Sequence, residues 1–375
     1  ISTMTENDSD MEVDTEVPSL ESLVSWDVVR HLKPKEKKRQ EVINELFHTE
    51  RTHVRNLKIL YSIFYKPMML KNTVSQDLLW LFFANIEDLL GIHQDMNKKM
   101  RDQVEEWRKD TSLNGLYGDI GQLMEDIFEG ENGEKLKTAT SLFCQHQQHA
   151  LEILRSRCNK KEDHFSRWLA DVESHPLCRK LQLKDMLPVE MQRLVKYPML
   201  LETAAKYTQE ENEEQEKLYR VVHESKKILS AVNTAKRNAE NLRRLEELQR
   251  RMDTTPFDKE NSGHDYASLD LTKYHLIHDG HLTMRFSRGK MVELHVILLE
   301  EILVLLTRHS DGNKLMLKSL ETSKESKWSP IFLIKPLIVK EKANDKRAFF
   351  LLPNPDQKGA TIFELVAATA TERKT

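Results

Sequence analysis

From Glu134 to Ser262 the chain runs 129 residues without a glycine. Glycine and proline punctuate a chain, so such a stretch has little to turn with and favours long elements. The whole sequence of 375 residues holds only 11 Gly and 11 Pro, against 31% charged residues. An average soluble protein carries about 12% Gly plus Pro and about 25% charge. An all-β protein needs more turns than this, and a nucleotide-cradling enzyme more Gly-rich loops. Long helices with charged outer faces fit. The length suggests about two domains and is enough to bury a core without staples.

The hydrophobic period divides the chain. From about Lys35 to Arg251 it is helical: Ile43, Phe47, Val54, Leu57, Tyr61 and Phe64 form one apolar stripe. Pro67 is expected to end that helix, and a second is expected over about Ser75–Arg108. A helix over about 188–207 carries Pro198 inside it, which should kink or split it. A long helix is expected over about 215–252. Residues 253–269 are polar and read as a linker. Beyond them the period falls to two, as Val292, Leu294, Val296 and Leu298 alternate with their neighbours up to Glu300-Glu301. Further strand candidates are Leu276–Phe286, Lys314–Ser319, Ile331–Val339, Ala348–Leu352 and Thr361–Ala367. The fold class expected is multidomain, α then β: an all-α domain, a linker and a small β domain, a barrel or a sandwich.

Net charge is -3, so no nucleic-acid partner is implied. Residues 1–19 hold Glu6, Asp8, Asp10, Glu12, Asp14 and Glu16 and no base. That acidic start is expected to be disordered, and it is a candidate mask for basic residues on the last helix. A chain beginning at Ile1 reads as part of a longer one. No apolar run approaches the ~18 residues of a membrane span. Cys144, Cys158 and Cys178 read as reduced thiols.

Enzyme chemistry is not visible. There is no G-x-x-x-x-G-K-[ST] loop, since Gly130–Thr138 lacks the Gly before its Lys, and no G-x-S-x-G or H-E-x-x-H. Cys144 and His146 of a C-x-H-x-x-H point about 200° apart on a helix, and His275 and His278 face opposite sides of a strand. No metal or cofactor is expected. Three segments stand out instead: Arg39–Leu57, Leu181–Leu201 and Ile228–Arg251. On them, Glu45 lies opposite the apolar stripe and Lys196 precedes a helix proline. Asn233, Arg237 and Arg244 share one line along the last helix. Each also reads as a solvated face or a surface salt bridge.

Together these segments resemble a Dbl-homology domain. NELFHTE (Asn44–Glu50) is similar to that family's first signature region, MQRLVKYPMLL (Met191–Leu201) to its third, and Asn233 sits in ILSAVNTA as the Asn of its final helix does. The β region resembles the pleckstrin-homology domain that commonly follows. The fold that the resemblance implies is an elongated all-α helical bundle followed by a small antiparallel β-barrel. The match runs over roughly residues 36–370, and RQEVINELF, LCRKLQLKDMLP and LLEEILVLL most resemble the RGS-containing Rho exchange factors. The domains implied are an acidic segment 1–19, an N-terminal extension 20–35, an exchange domain 36–252, a linker 253–269 and a pleckstrin-homology domain 270–375. The chain stops at Thr375, where that fold normally adds a C-terminal helix.

The resemblance implies a guanine-nucleotide exchange factor that releases GDP from Rho-family GTPases, RhoA foremost, with no covalent chemistry of its own. Glu45, Lys196 and Asn233 would contact the switch regions and disturb the Mg²⁺ site. Arg179, Arg237 and Arg244 would set specificity. Phe349 and Leu351 would form an exposed patch for GTP-loaded RhoA, with a barrel-core position as the alternative. Arg285, Arg288 and Lys290 are a loose candidate for phosphoinositide at a membrane surface. Heterotrimeric G-protein α subunits would act through regions outside this chain, and the setting implied is cytoplasm with recruitment to the plasma membrane. The relatives' N-terminal Trp contact aligns with Leu20, while Trp26 lies six residues later.

Overall fold

A computed structural model describes residues 10–158, 164–210, 212–260, 266–286, 289–309, 312–323, 326–353 and 362–374. The chain forms two compact units, Ile1–Ala239 and Glu240–Thr375. No helix among the described residues is long and apolar enough to cross a membrane.

The first unit is helical. Its principal helices are α1 (Pro34–Ile59), α2 (Ile86–Lys109), α3 (Gly130–Cys144), α4 (Val189–Tyr207) and α5 (Glu213–Arg251), whose last turns belong to the second unit. Pro34 sits at the start of α1, where its missing N–H costs nothing. The apolar stripe then buries Ile43, Leu57 and Phe64 completely. Packed in this way, α1 meets both α2 and α4. Burying one Leu or Ile contributes about 1.5–3 kcal/mol, so this stripe, more than intrinsic propensity, holds the helix in place.

Two boundaries differ from the expected ones. Pro67 does not end the first helix: a π-helical turn, Leu60–Tyr65, widens the coil and helix resumes over Lys66–Leu70 with the proline in its first turn. The wide turn absorbs the backbone bond that proline cannot make. The expected helix over Ser75–Arg108 is interrupted at Ala84, at φ 36°. A non-glycine residue in so sparsely populated a conformation costs on the order of 1–3 kcal/mol. The break accompanies burial of Phe82, Phe83 and Ile86 at 3%, 0% and 1% exposure. By contrast α4 continues unbroken through Pro198, which is buried within it. Gly133 is required by space, since a Cβ would lie 2.1 Å from the Phe128 carbonyl oxygen.

The second unit is a mainly antiparallel sheet. Its principal strands are β1 (Leu276–Arg285), β2 (Met291–Leu299), β3 (Ile302–Arg308), β4 (Leu315–Met316), β5 (Ile331–Leu333), β6 (Ile338–Glu341), β7 (Ala348–Leu352) and β8 (Phe363–Val366). Their order is β4-β3-β2-β1-β8-β7-β6, with β5 also paired to β3. Both faces are covered. Ile297, Leu299, Val304 and Leu306 join a core with Leu245 and Leu248 of α5. Leu294, Val296, Leu303 and Leu305 join another with Leu351 and Phe363. Two-sided burial is why β2 and β3 read as nearly continuous apolar runs. The expected linker holds a short helix, Thr255–Glu260, whose Phe257 is fully buried in the first of these cores. One apolar residue in a polar stretch thus ties it down.

The acidic start is not free from Asp10 onward; residues 1–9 lie outside the described ones. Asp10 pairs with Lys58 at 2.8 Å and Arg51 at 3.4 Å. The Met11 carbonyl accepts from Arg55 Nε at 3.0 Å, and Asn44 Nδ2 donates to the Pro18 carbonyl at 2.7 Å. Burial opposes the charge of Asp10, yet Lys58, Arg101 and Arg51 hold its carboxyl below the usual range. The expected disorder fails here because Met11 and Val13 add buried apolar contacts to these ion pairs. The basic residues that Asp10 pairs with lie on α1 and α2.

Candidate functional site

The three segments singled out in the sequence fall on α1, α4 and α5. Glu45 is half-buried on α1, whereas Lys196 on α4 and Asn233 on α5 are exposed. Helix geometry explains the exposure of Lys196. Leu194, Tyr197 and Leu201 take the inward face, leaving Val195, Lys196 and Met199 outside at neighbouring positions of the same coil. Lys226 of α5 meets Glu202 of α4 at 3.2 Å. Asn233, Thr234 and Arg237 line a shallow groove with Lys226, Leu229 and Ser230. Val195 and Met199, 41% and 57% exposed, were not singled out in the sequence because an apolar residue on an amphipathic helix reads as core.

Beneath this surface lies a buried polar network that the sequence reading missed. Glu50 of α1 is fully buried. One of its oxygens accepts from Arg193 Nε at 2.8 Å and from Tyr197 Oη at 2.6 Å; the other meets His93 Nδ1 at 2.8 Å. Glu190 Oε2 meets His53 Nε2 at 2.9 Å and His93 Nε2 at 3.2 Å. A signal existed: Glu50 sits in phase with the stripe of Leu46, Val54 and Leu57, where a charge needs a partner.

Two buried carboxylates face one guanidinium, and His93 supplies the missing positive charge. Burial opposes it, but Glu190 and Glu50 push its pKa up to about 10. Burial and His93 together keep His53 below the ordinary histidine range, so it donates as a neutral ring. Burial would raise Glu190, yet His93 and His53 bring it down to about 2. His53, His93 and Glu190 could by ligand type hold a metal. Both imidazoles touch the carboxylate directly, and an imidazolium provides the charge an ion would.

The specificity candidates have partners of their own. Arg179, in a left-handed conformation at φ 48°, donates from Nη2 to the Val13 carbonyl at 2.8 Å. Arg237 is exposed. Arg244 forks onto Asp279, with Nε and Nη2 at 3.1 and 2.7 Å from its oxygens, and also reaches Glu247. These bonds, Asp279 first, hold its guanidinium above the ordinary range. Asp279 also meets His295 Nε2 at 2.8 Å, and His295 in turn lies 3.3 Å from His281. In the N-terminal extension Leu20 is buried and Trp26 is 65% exposed, so only the tryptophan has a free face.

The β unit corrects one expectation. Leu351 is 2% exposed in the barrel core and Phe349 packs half-buried on the same cluster, so these two do not form an exposed patch. The pleat alternates, and the opposite face of β7 carries Phe350 and Leu352, paired across to Lys340 and Ile338. Arg285 is held by Glu364 at 2.7 Å and Asp345 at 3.8 Å, and Lys342 shares Glu364. Arg288 lies outside the described residues; Lys290 is exposed.

Residues 42–233 match the RhoGEF domain model, and residues 260–375 match a PH domain model. Rho guanine nucleotide exchange factor 12 of Homo sapiens is 42% identical over 371 residues, 96% of this chain and 23% of the relative. Rho guanine nucleotide exchange factor 11 of Homo sapiens is 38% identical over 98% of this chain and 24% of the relative. The chain therefore spans about a quarter of the length of these curated relatives. Among solved structures, PDZ-RhoGEF DH/PH domains in complex with GTP-γ-S activated RhoA superpose with a TM-score of 0.82 at 38% identity, covering 93% of this chain and 94% of that one. The DH/PH domains of p115-RhoGEF give 0.83 at 35% identity, covering 96% and 97%.

Proposed function

Because the chain belongs to the RhoGEF family, with a RhoGEF domain followed by a PH domain, we propose that it releases GDP from a Rho-type GTPase, RhoA foremost. The observation that carries this is the exposure of Lys196 and Asn233 on the helices that also bear the family's motifs. An exchange factor makes and breaks no covalent bond. It binds the nucleotide-free GTPase more tightly than the loaded one, and its differential affinity sets how far the nucleotide is expelled. Glu45 would engage one displaced switch segment, and Lys196 and Asn233 the other, with Val195 and Met199 as apolar contacts beside them. Disturbing the Mg²⁺ site would remove charge that neutralises the phosphates.

Arg179, Arg237 and Arg244 are proposed to steer partner choice through complementary charge, which acts mainly on encounter and selectivity. Two of them must give up internal bonds to do so: Arg179 its tie to Val13, and Arg244 its fork on Asp279. Trp26 is the proposed N-terminal contact. For GTP-loaded RhoA, the half-buried Phe350 and Leu352 of the opposite face replace the inward pair, beside Ile338 at 38% exposure. Recruitment of the PH domain to a phosphoinositide surface is the weaker proposal, since Arg285 is already neutralised by Glu364.

Release of fluorescent GDP from RhoA, Rac and Cdc42 tests the central reading. We expect RhoA to respond most. Lys196→Ala with Asn233→Ala should lower the rate at least tenfold, the size of about 1.4 kcal/mol in the barrier. No exchange by the parent chain, or a double variant as fast as the parent, would sink it.

A further inference from the structure

Lys196 sits at the outer face of α4 and Glu45 on α1, and the proposed exchange reaction needs the two at a fixed separation. Besides the apolar packing of the two helices, the polar contacts between them near these residues converge on one buried side chain. Arg193 lies three residues before Lys196 on α4 and is 5% exposed. Its Nη1 donates to Thr49 Oγ1 at 2.7 Å, and that hydroxyl donates onward to the backbone carbonyl of Glu45 at 2.6 Å. Its Nη2 donates to the carbonyl of Leu46, the next residue, at 3.0 Å. Its Nε donates to Glu50 at 2.8 Å. On the α4 side Tyr197, adjacent to Lys196, donates to the same Glu50 oxygen at 2.6 Å, and its ring lies 4.4 Å from the guanidinium.

We propose that Arg193 is a positioning residue for exchange, fixing Glu45 relative to Lys196 through the hydroxyl of Thr49. The inference rests on the exchange reading above. Physically, the guanidinium is a rigid planar fork, and all its bonds run to groups within a turn and a half of Glu45. A threonine hydroxyl that donates to the carbonyl four residues back also bends its helix slightly. The Arg193–Thr49 bond therefore couples the local curvature of α1 to α4. A lysine at 193 keeps a charge for Glu50 but loses the fork. A purely structural core arginine would instead affect stability without regard to Glu45.

The test uses the full chain, fluorescent-GDP release from RhoA over a range of exchange-factor concentrations, and a thermal melt of every variant. Thr49→Val removes the hydroxyl link and leaves the Arg193–Glu50 pair in place. We expect it to lower the maximal rate about five- to tenfold, the worth of one hydrogen bond, with half-saturation little changed. Arg193→Lys should reproduce the loss. In a Glu45→Gln background the further loss from Thr49→Val should shrink to less than about twofold, because a residue acting through Glu45 has nothing left to position. A parental rate for Thr49→Val, or the same fold-loss in both backgrounds, overturns the positioning role while leaving the exchange reading intact. A parent chain with no exchange activity removes that reading and this inference together.

Discussion

Phe349 and Leu351 show how one residue of register decides a functional assignment. Alternation along β7 marks two faces, but periodicity does not say which face is wet. The structure buries Leu351 and places Phe350 and Leu352, both half-buried, on the opposite face of the strand. We therefore expect Leu351→Ala to destabilise the second unit by about 2–5 kcal/mol through cavity formation, measured by urea denaturation. Leu352→Ala should cost under about 1.5 kcal/mol and act on binding instead. Equal losses at both positions would contradict the assignment. Motif resemblance offered Glu45, Lys196 and Asn233 as candidate contacts, and the exposure of the latter two follows from helix phase. The partners of Arg179 and Arg244 were not, because Val13 and Asp279 lie far from them in sequence.

At the scale of elements, the network of Glu50, His53, His93, Glu190 and Arg193 adds polar ties between α1, α2 and α4 to their shared hydrophobic core. It also makes their packing depend on pH. The folded pKa of His93, about 10, is raised above its unfolded value. Its contribution to stability is present in full below about 6.5, and is lost as pH rises toward 10. The folded pKa of Glu190 is depressed to about 2, so its contribution is lost only as pH falls below the ordinary carboxylate range. Melting temperature should thus fall between pH 7 and pH 10, and His93→Gln should be less stable at pH 7 with a flatter profile over that window. Parallel profiles for the two proteins would refute a charged His93. The helices themselves were legible from the apolar stripe, whereas the π-turn before Pro67 and the break at Ala84 were not. Both are local compromises set by what the neighbouring helices bury.

At the scale of the molecule, the main core of the first unit and the two cores of the β unit share no residue among the described ones. Phe257, in the stretch that reads as linker, belongs wholly to the β unit. Phe257→Ala should therefore lower the stability of that unit by about 3–5 kcal/mol and leave the helical unit unchanged. Calorimetry or two-probe urea denaturation would separate the transitions. A shift of both by the same amount would show a single cooperative unit.

The absence of glycine from 134 to 262 and the change of period near 253 determined by themselves that a helical unit precedes a sheet unit, because hydrophobic spacing and turn residues act locally along the chain. Motif resemblance likewise named the family and the candidate contacts. Only the tertiary structure decided which face of β7 is buried, that Asp10 and Met11 are bound, and that Arg193 reaches Thr49. Each depends on groups far apart in sequence, and burial, ion pairing and hydrogen-bond geometry are properties of the distances that folding creates.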